Sequence, residues 1–192
     1  MVSCSGTTCS KTPNEIRIWT KNYNCIKTII RKNVGALISF QNVLINNNSK
    51  NGNIILWKKN NKICKTLKIR RFRQQEISVW LVITSDKNSK DDKLFSGSYM
   101  GDLINWDTKL NWKLLHITKY WYGIRDLEHY NEYIYIGFVN DNIGIYNYKT
   151  NTKISTINLD GNRLYTMIIY NDKIITGNNK GIINILPINT IQ

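Results

Sequence analysis

Three sets of residues in this sequence have types and spacings that could do chemistry. Asp126 and Glu128 lie two apart beside His129; on a strand, residues two apart share a face, so this trio could serve as a general acid and base. Cys4, Cys9, Cys25 and Cys64, with His116 and His129, are the soft ligands a zinc site would draw on. The third set is cationic and aromatic: Arg70, Arg71 and Arg73 in one segment, and Lys119, Tyr120, Trp121, Tyr122 and Arg125 in another. Arginine holds carboxylates and phosphates bidentately, and bulky aromatics beside a cation are the residues that anchor protein interfaces.

The first two sets do not assemble. Polar residues on short strands usually sit at strand ends in solvent, and no Ser/His/Asp set, paired-carboxylate spacing or phosphate loop accompanies Asp126 and Glu128. No catalytic residue is assigned, and the chain is expected not to be an enzyme. Only Cys4 and Cys9 are close together, and neither histidine has ligand-like spacing to a cysteine, so no metal and no cofactor is expected and the cysteines read as small core hydrophobes. The third set keeps two readings open. It is either a partner-binding face, continued more weakly by Arg163 and Tyr165, or a solvated loop with its tryptophan packed between neighbouring elements. The nearby Lys58, Lys59, Lys62, Lys65 and Lys68 read as a solvated sheet edge, where lysine discourages edge pairing.

Charge bears on the partner. Lys and Arg number 27 against 13 Asp and Glu, a formal net charge of +14 over 192 residues. That balance favours acidic partners or nucleic acid. The excess is mostly lysine and accompanies abundant asparagine and isoleucine, the signature of A/T-rich codons, so codon bias is the simpler source of the charge and a basic nucleic-acid-binding propeller stands as the alternative reading. The N-terminus has neither a basic stretch nor an apolar one. No run approaches the ~18 apolar residues of a membrane span, and the expectation is an intracellular, cytoplasmic chain with no membrane partner.

The elements that must position these residues form a repeat. Asn14–Trp19, Gly52–Trp57, Gly101–Trp106, Asp141–Tyr146 and Gly181–Leu186 share a turn residue, alternating apolar positions and a large apolar anchor. The anchors Trp19, Trp57, Trp106, Tyr146 and Leu186 stand 38, 49, 40 and 40 residues apart. The long interval holds the polar stretch 85–93, read as a loop insertion, which loop-closure entropy tolerates. Between anchors the order is polar turn, alternating strand, linker, apolar strand, short turn, strand and tight turn, which makes four strands per ~40 residues, the arithmetic of a propeller blade. The hydrophobic fraction of 42%, with aromatic residues abundant and only 2 prolines, agrees with an all-β chain.

Leu94–Asp107, with Ser-Gly-Ser, a glycine turn and Trp106-Asp107, resembles the third quarter of a WD repeat, and the segments ending at Tyr146 and Leu186 are weaker copies. The turns and outer strands after Trp19 and Trp57 resemble those of F-box/WD proteins. The resemblance implies a β-propeller of WD-repeat type that acts as a scaffold for protein–protein interaction, with its linkers on the face where partners dock; arginines there could read an acidic or phosphorylated segment. The departures are the absence of the opening Gly-His from every blade and the replacement of the aspartate before the turn glycine by Met100, Asn51 and Lys180. In the family those residues join the tryptophan in a hydrogen-bonded network, and weaker blades are expected here.

The expected organisation is a single propeller segment: a partial blade 1–33, blades 34–69, 70–118 and 119–159, and a partial blade 160–192. About three full four-stranded blades and two partial ones make an incomplete or open propeller. Three explanations compete: a fragment of a longer gene product, pairing with another chain to complete the ring, or a distorted five-bladed ring.

Overall fold

Alternation with period two puts successive side chains on opposite faces of a strand, and in several middle strands of this chain residues on both faces are buried, so the sheets that hold them are covered on both sides. The computed structural model describes residues 2–5, 14–31, 34–40, 43–48, 53–58, 63–67, 83–85, 93–109, 111–159 and 163–188. It divides into two compact units, Met1–Leu81 and Val82–Gln192. Among the described residues the strands pair in antiparallel sheets, and no helix is long and apolar enough to cross a membrane.

The first unit holds two sheets. One is built from β1 (Val2–Ser5), β2 (Asn14–Trp19) and β3 (Cys25–Arg31), and the other from β4 (Val34–Phe40), β5 (Val43–Asn48), β6 (Ile54–Trp57) and β7 (Ile63–Leu67), each in sequence order. Ile16 of the first sheet is buried against Val34 and Trp57 of the second.

The second unit holds three. The first runs β8 (Ile83–Ser85), β9 (Lys93–Gly97), β10 (Asp102–Asp107) and β11 (Lys113–Lys119). The next is β12 (Ile124–Tyr130), β13 (Tyr133–Phe138), β14 (Asn142–Asn147) and β15 (Thr152–Asn158). The last has three strands, β16 (Leu164–Tyr170), β17 (Lys173–Asn178) and β18 (Ile183–Pro187). Two cores lie between them. Phe95 and Leu103 pack with Ile124, Leu127 and Ile134 in one, and Tyr135, Ile143 and Ile145 pack with Leu164, Met167 and Ile174 in the other.

Within the second unit the seat for each incoming sheet is a glycine. A Cβ on Gly97 would lie 2.5 Å from Ile124 Cγ2, and one on Gly137 2.9 Å from Leu164 Cδ2. Both glycines occupy the same register position, opposite Leu103 and Ile143. Ile124 and Leu164, the first residues of β12 and β16, are therefore knobs pressed onto bare backbone of the preceding sheet.

The anchors divide by position. Trp57, Trp106 and Tyr146 are buried, whereas Trp19 and Leu186 of the three-stranded sheets are half-buried. Trp106 Nε1 donates to Ser96 Oγ at 2.9 Å and Trp57 Nε1 to Asn46 Oδ1 at 2.6 Å, the same diagonal step across the ladder in both sheets. In these two sheets the anchor indole is therefore tied to the neighbouring strand by a buried hydrogen bond. In the sheet of β12–β15 that position is Ile136, and Tyr146 donates instead to Asn151 Oδ1 at 3.0 Å. In the last sheet Thr176 holds the position, buried diagonally across from an anchor, Leu186, that has no donor, and its hydroxyl lacks a hydrogen-bond partner among the described residues.

Asp107, the partner of the Trp-Asp pair, accepts the Lys109 N–H at 2.8 Å, and Asn147 accepts the N–H groups of Lys149 and Thr150. The polar residue after the anchor therefore forms the next turn through a side-chain bond to its own backbone. A bulge precedes the anchor in the first four sheets, leaving Ile26, Cys64, Leu115 and Ile154 outside the ladder register on the outer strands, all of them exposed. This corrects the core reading of two cysteines. Cys25 and Cys64 are exposed free thiols, because both sit on outer strands with no sheet covering their side.

Candidate functional site at the loop end of the second unit

The turn–linker packing at one end of the second unit follows from backbone fit. Gly101 (φ +81°) turns the chain between β9 and β10, and a Cβ there would stand 2.3 Å from Tyr120 O. Only glycine combines that φ with that approach. Gly123 meets Tyr99 O in the same way, at 2.3 Å from its would-be Cβ. Tyr120 N–H donates to Gly101 O and Ile124 N–H to Ser98 O, both at 2.8 Å. The linker 120–123 is thus pinned along the 99–101 turn. Val139 N–H to Gly123 O and Asn179 N–H to Arg163 O, both 3.0 Å, pin the next two turns to their linkers in the same manner.

The linker side chains then have separate fates. Tyr120 folds inward against Phe138, with ring centroids 5.1 Å apart, and packs on the core. Its hydroxyl is buried with no hydrogen-bond partner among the described residues, and burial pushes its ionisation above the usual tyrosine range. Trp121 is 99% exposed and Tyr122 50%. That outcome rejects, for Trp121, the reading in which the tryptophan packs between neighbouring sheets. Tyr99 and Met100 of the adjoining turn are also exposed.

Two expected linker residues lie on strands. Lys119 is the last residue of β11, paired with Asp102 across the ladder, and its Nζ contacts Asp102 Oδ1 at 2.6 Å. Arg125 is the second residue of β12, at a register shift between Ile124 and Asp126. Tyr165 occupies the corresponding shift of β16. The bulge turns these two side chains together, so that the Arg125 guanidinium lies 5.0 Å from the centroid of the Tyr165 ring, a cation–π arrangement. No sequence signal marks a bulge, since it exists only in the pairing of two strands.

Behind the linker a cavity of about 330 Å³ opens between Tyr120, Trp121, Tyr122 and Phe138 on one side and Lys153 to Thr156 of β15 on the other. Lys153 Nζ lies 4.4 Å from the centroid of the Tyr120 ring and donates to Lys119 O at 2.8 Å. Sequence reasoning passed over Lys153, whose outer strand brings it to the linker. The cavity joins an aromatic wall to a positioned ammonium, chemistry suited to an acidic or aromatic side chain. Arg70, Arg71 and Arg73 lie outside the described residues, as do residues 86–92 of the inserted stretch.

Asp126 links two sheets. Asp126 Oδ2 accepts from Met167 N–H at 2.6 Å and Thr166 Oγ1 at 3.1 Å, tying β12 to β16. Burial, opposed by these bonds, raises its ionisation above the ordinary carboxylate range. Burial, and then the charge of Asp126, push Glu128 up to about 7. Among the described residues no group of three or more His, Cys, Asp or Glu is placed to hold a metal.

No family model matches the chain, and no curated protein matches it in sequence. Solved structures do match in shape. Sqt1 of Saccharomyces cerevisiae aligns with a TM-score of 0.74 at 13% identity, over 98% of this chain and 56% of Sqt1. The computationally designed Ika8 protein gives 0.65 at 12% identity over 93% of this chain and 56% of Ika8, and the designed Ika4 protein 0.61 at 16% identity over 81% and 91%. This chain thus spans just over half the length of Sqt1 and of Ika8, and with them it shares an all-β fold of small antiparallel sheets in series.

Proposed function

We propose that the chain is a WD-repeat-type β-propeller segment that works as a non-enzymatic scaffold, binding an acidic or phosphorylated segment of another protein at the loop end of the second unit. The observation that carries this reading is the fully exposed Trp121 beside half-exposed Tyr122, within the same linker-to-strand segment as Arg125. An indole left in water is the residue a partner gains most by covering: at ~25 cal/mol per Å², burying roughly 200 Å² contributes ~4–5 kcal/mol before association costs. Lys153 and Arg163 supply positive charge on this unit, and the net charge of +14 steers acidic partners toward the chain. Arg70, Arg71 and Arg73 belong to the same proposal as a second cationic linker.

Comparative affinity capture tests it, with the wild type set against the Trp121→Ala/Arg125→Ala variant under nuclease treatment. A discrete set of proteins lost from the variant, with an unchanged circular dichroism spectrum, is the expected result; identical captured sets overturn the reading. Nucleic-acid binding by the purified chain, falling with salt at roughly −0.9 in log–log slope per neutralised phosphate, would instead favour the basic nucleic-acid-binding alternative.

A further inference from the structure

Four consecutive residues of β15, Lys153 to Thr156, line the cavity behind the linker 120–122. The bulge at Ile154 breaks the alternation that would otherwise send every second side chain away. Lys153 stands out from the equivalent positions of the other sheets. It is the residue paired with the anchor Tyr146, whereas the residues paired with the anchors Trp19, Trp57 and Trp106 are Cys25, Ile63 and Leu114, none of them charged. Its ammonium is also held in place, since Nζ donates to Lys119 O at 2.8 Å and lies 4.4 Å from the centroid of the Tyr120 ring. That one carbonyl leaves donors of the ammonium unused, and among the described residues no carboxylate pairs with it. The other cations of this end are engaged: Lys119 Nζ contacts Asp102, and the Arg125 guanidinium lies on the Tyr165 ring.

We propose that this cavity is a subsite for a carboxylate side chain, glutamate or aspartate, carried beside an aromatic residue of the docking segment, and that Lys153 is the residue that selects it. The proposal rests on the loop-end reading and narrows it: of the two anions that reading allows, the cavity takes the carboxylate and not the phosphate. Charge decides between them. Among the described residues that line the cavity Lys153 alone is charged; the rest are aromatic, aliphatic or neutral and polar. One carboxylate neutralises one ammonium. A phosphate brings roughly two negative charges and leaves the second against aromatic and aliphatic walls, where an unpaired charge is costly. The aromatic side, Tyr120 to Tyr122 with Phe138, receives a ring in edge-to-face or offset contact. A volume of about 330 Å³ stands at the small end of the ~300–1,000 Å³ of ligand pockets. It fits one or two residues of a segment whose remainder covers the exposed Trp121 at the cavity's edge.

The test is a nuclear magnetic resonance titration of the isotope-labelled full chain with the capped dipeptides acetyl-Phe-Glu-amide, acetyl-Phe-Gln-amide and acetyl-Phe-phosphoserine-amide, and with free phenylacetate. It is run on the wild type, Lys153→Met and Trp121→Ala and read at the amide signals of residues 154–156. The expected result is that the glutamate dipeptide binds the wild type ~5-fold or more tighter than the glutamine and phosphoserine dipeptides, and tighter than phenylacetate. Lys153 is exposed and methionine keeps its aliphatic stem, so Lys153→Met equalises glutamate and glutamine and leaves the glutamine affinity unchanged. Trp121→Ala lowers both alike. Equal binding of the glutamate and glutamine dipeptides by the wild type, preference for phosphoserine, or phenylacetate equalling the glutamate dipeptide overturns the inference. So does a glutamate preference that survives Lys153→Met, or the absence of shifts at residues 154–156. A Trp121-dependent affinity without carboxylate preference sinks this inference and leaves the loop-end reading standing.

Discussion

Replacing Trp106 with phenylalanine tests the internal logic of the sheets through one bond. Trp106 and Ser96 are 3% and 1% exposed, and the indole N–H donates to the Ser96 hydroxyl at 2.9 Å. The substitution removes the donor and strands a buried hydroxyl, a cost of about 1–2 kcal/mol. It also removes about 40 Å³ of side chain, which at ~24 cal/mol per Å³ of residual cavity adds about 1 kcal/mol. The sum is a loss of 2–3 kcal/mol, most of a factor of 100 in the folding equilibrium, read in urea unfolding followed by far-ultraviolet circular dichroism. Ser96→Ala alone strands the indole N–H, and the double variant recovers about 1 kcal/mol relative to additivity, because the two changes delete one interaction. A Trp106→Phe loss below about 0.5 kcal/mol, or strictly additive single variants, refutes the reasoning.

Three further outcomes follow from the same geometry. Leu186→Trp gives the last sheet the donor that Thr176 lacks and raises stability by about 1 kcal/mol in the same urea assay. Gly97→Ala puts a Cβ 2.5 Å from Ile124 Cγ2 and costs about 1–3 kcal/mol, less when combined with Ile124→Ala, so that the double variant is more stable than additivity predicts. Glu128 is held by burial and by Asp126 at about 7, above its usual 4.5. The fold therefore binds the proton more tightly than the unfolded chain does, and stability declines as pH rises from about 4.5 through about 7. Glu128→Gln flattens that decline and stabilises the chain at alkaline pH by about 1–2 kcal/mol after allowance for partial exposure, as thermal melts from acid to alkaline pH will show.

What the sequence disclosed, and what it withheld, divides along physical lines. The recurring turn, alternation and anchor around Trp57, Trp106 and Tyr146 were legible because each repeat states the same pattern, and strands run through those segments. Glycines 97 and 137 were visible within the repeats, but their use as seats for Ile124 and Leu164 depends on how one sheet meets the next. Cys25 and Cys64 were misread as core because composition does not say which strand lies outermost. For Trp121 residue type was plain and exposure was not, since a linker tryptophan can pack between sheets or stand free. The pairing of Arg125 with Tyr165 was hidden further, because both residues sit at bulges. The spacing of Asp126 and Glu128 could not disclose that Asp126 accepts the Met167 N–H, a contact about forty residues away in sequence, roughly one repeat on.

The most direct test of the loop-end account is an equilibrium titration of the full chain with a panel of acidic and phosphorylated peptides and their neutral counterparts, run in parallel on the wild type, Trp121→Ala and Arg125→Ala. The account predicts that acidic or phosphorylated members bind the wild type in preference to their neutral counterparts. Their affinity falls by ~10-fold or more in each variant. Equal binding of neutral and acidic peptides, or undiminished binding after loss of Trp121, would contradict it.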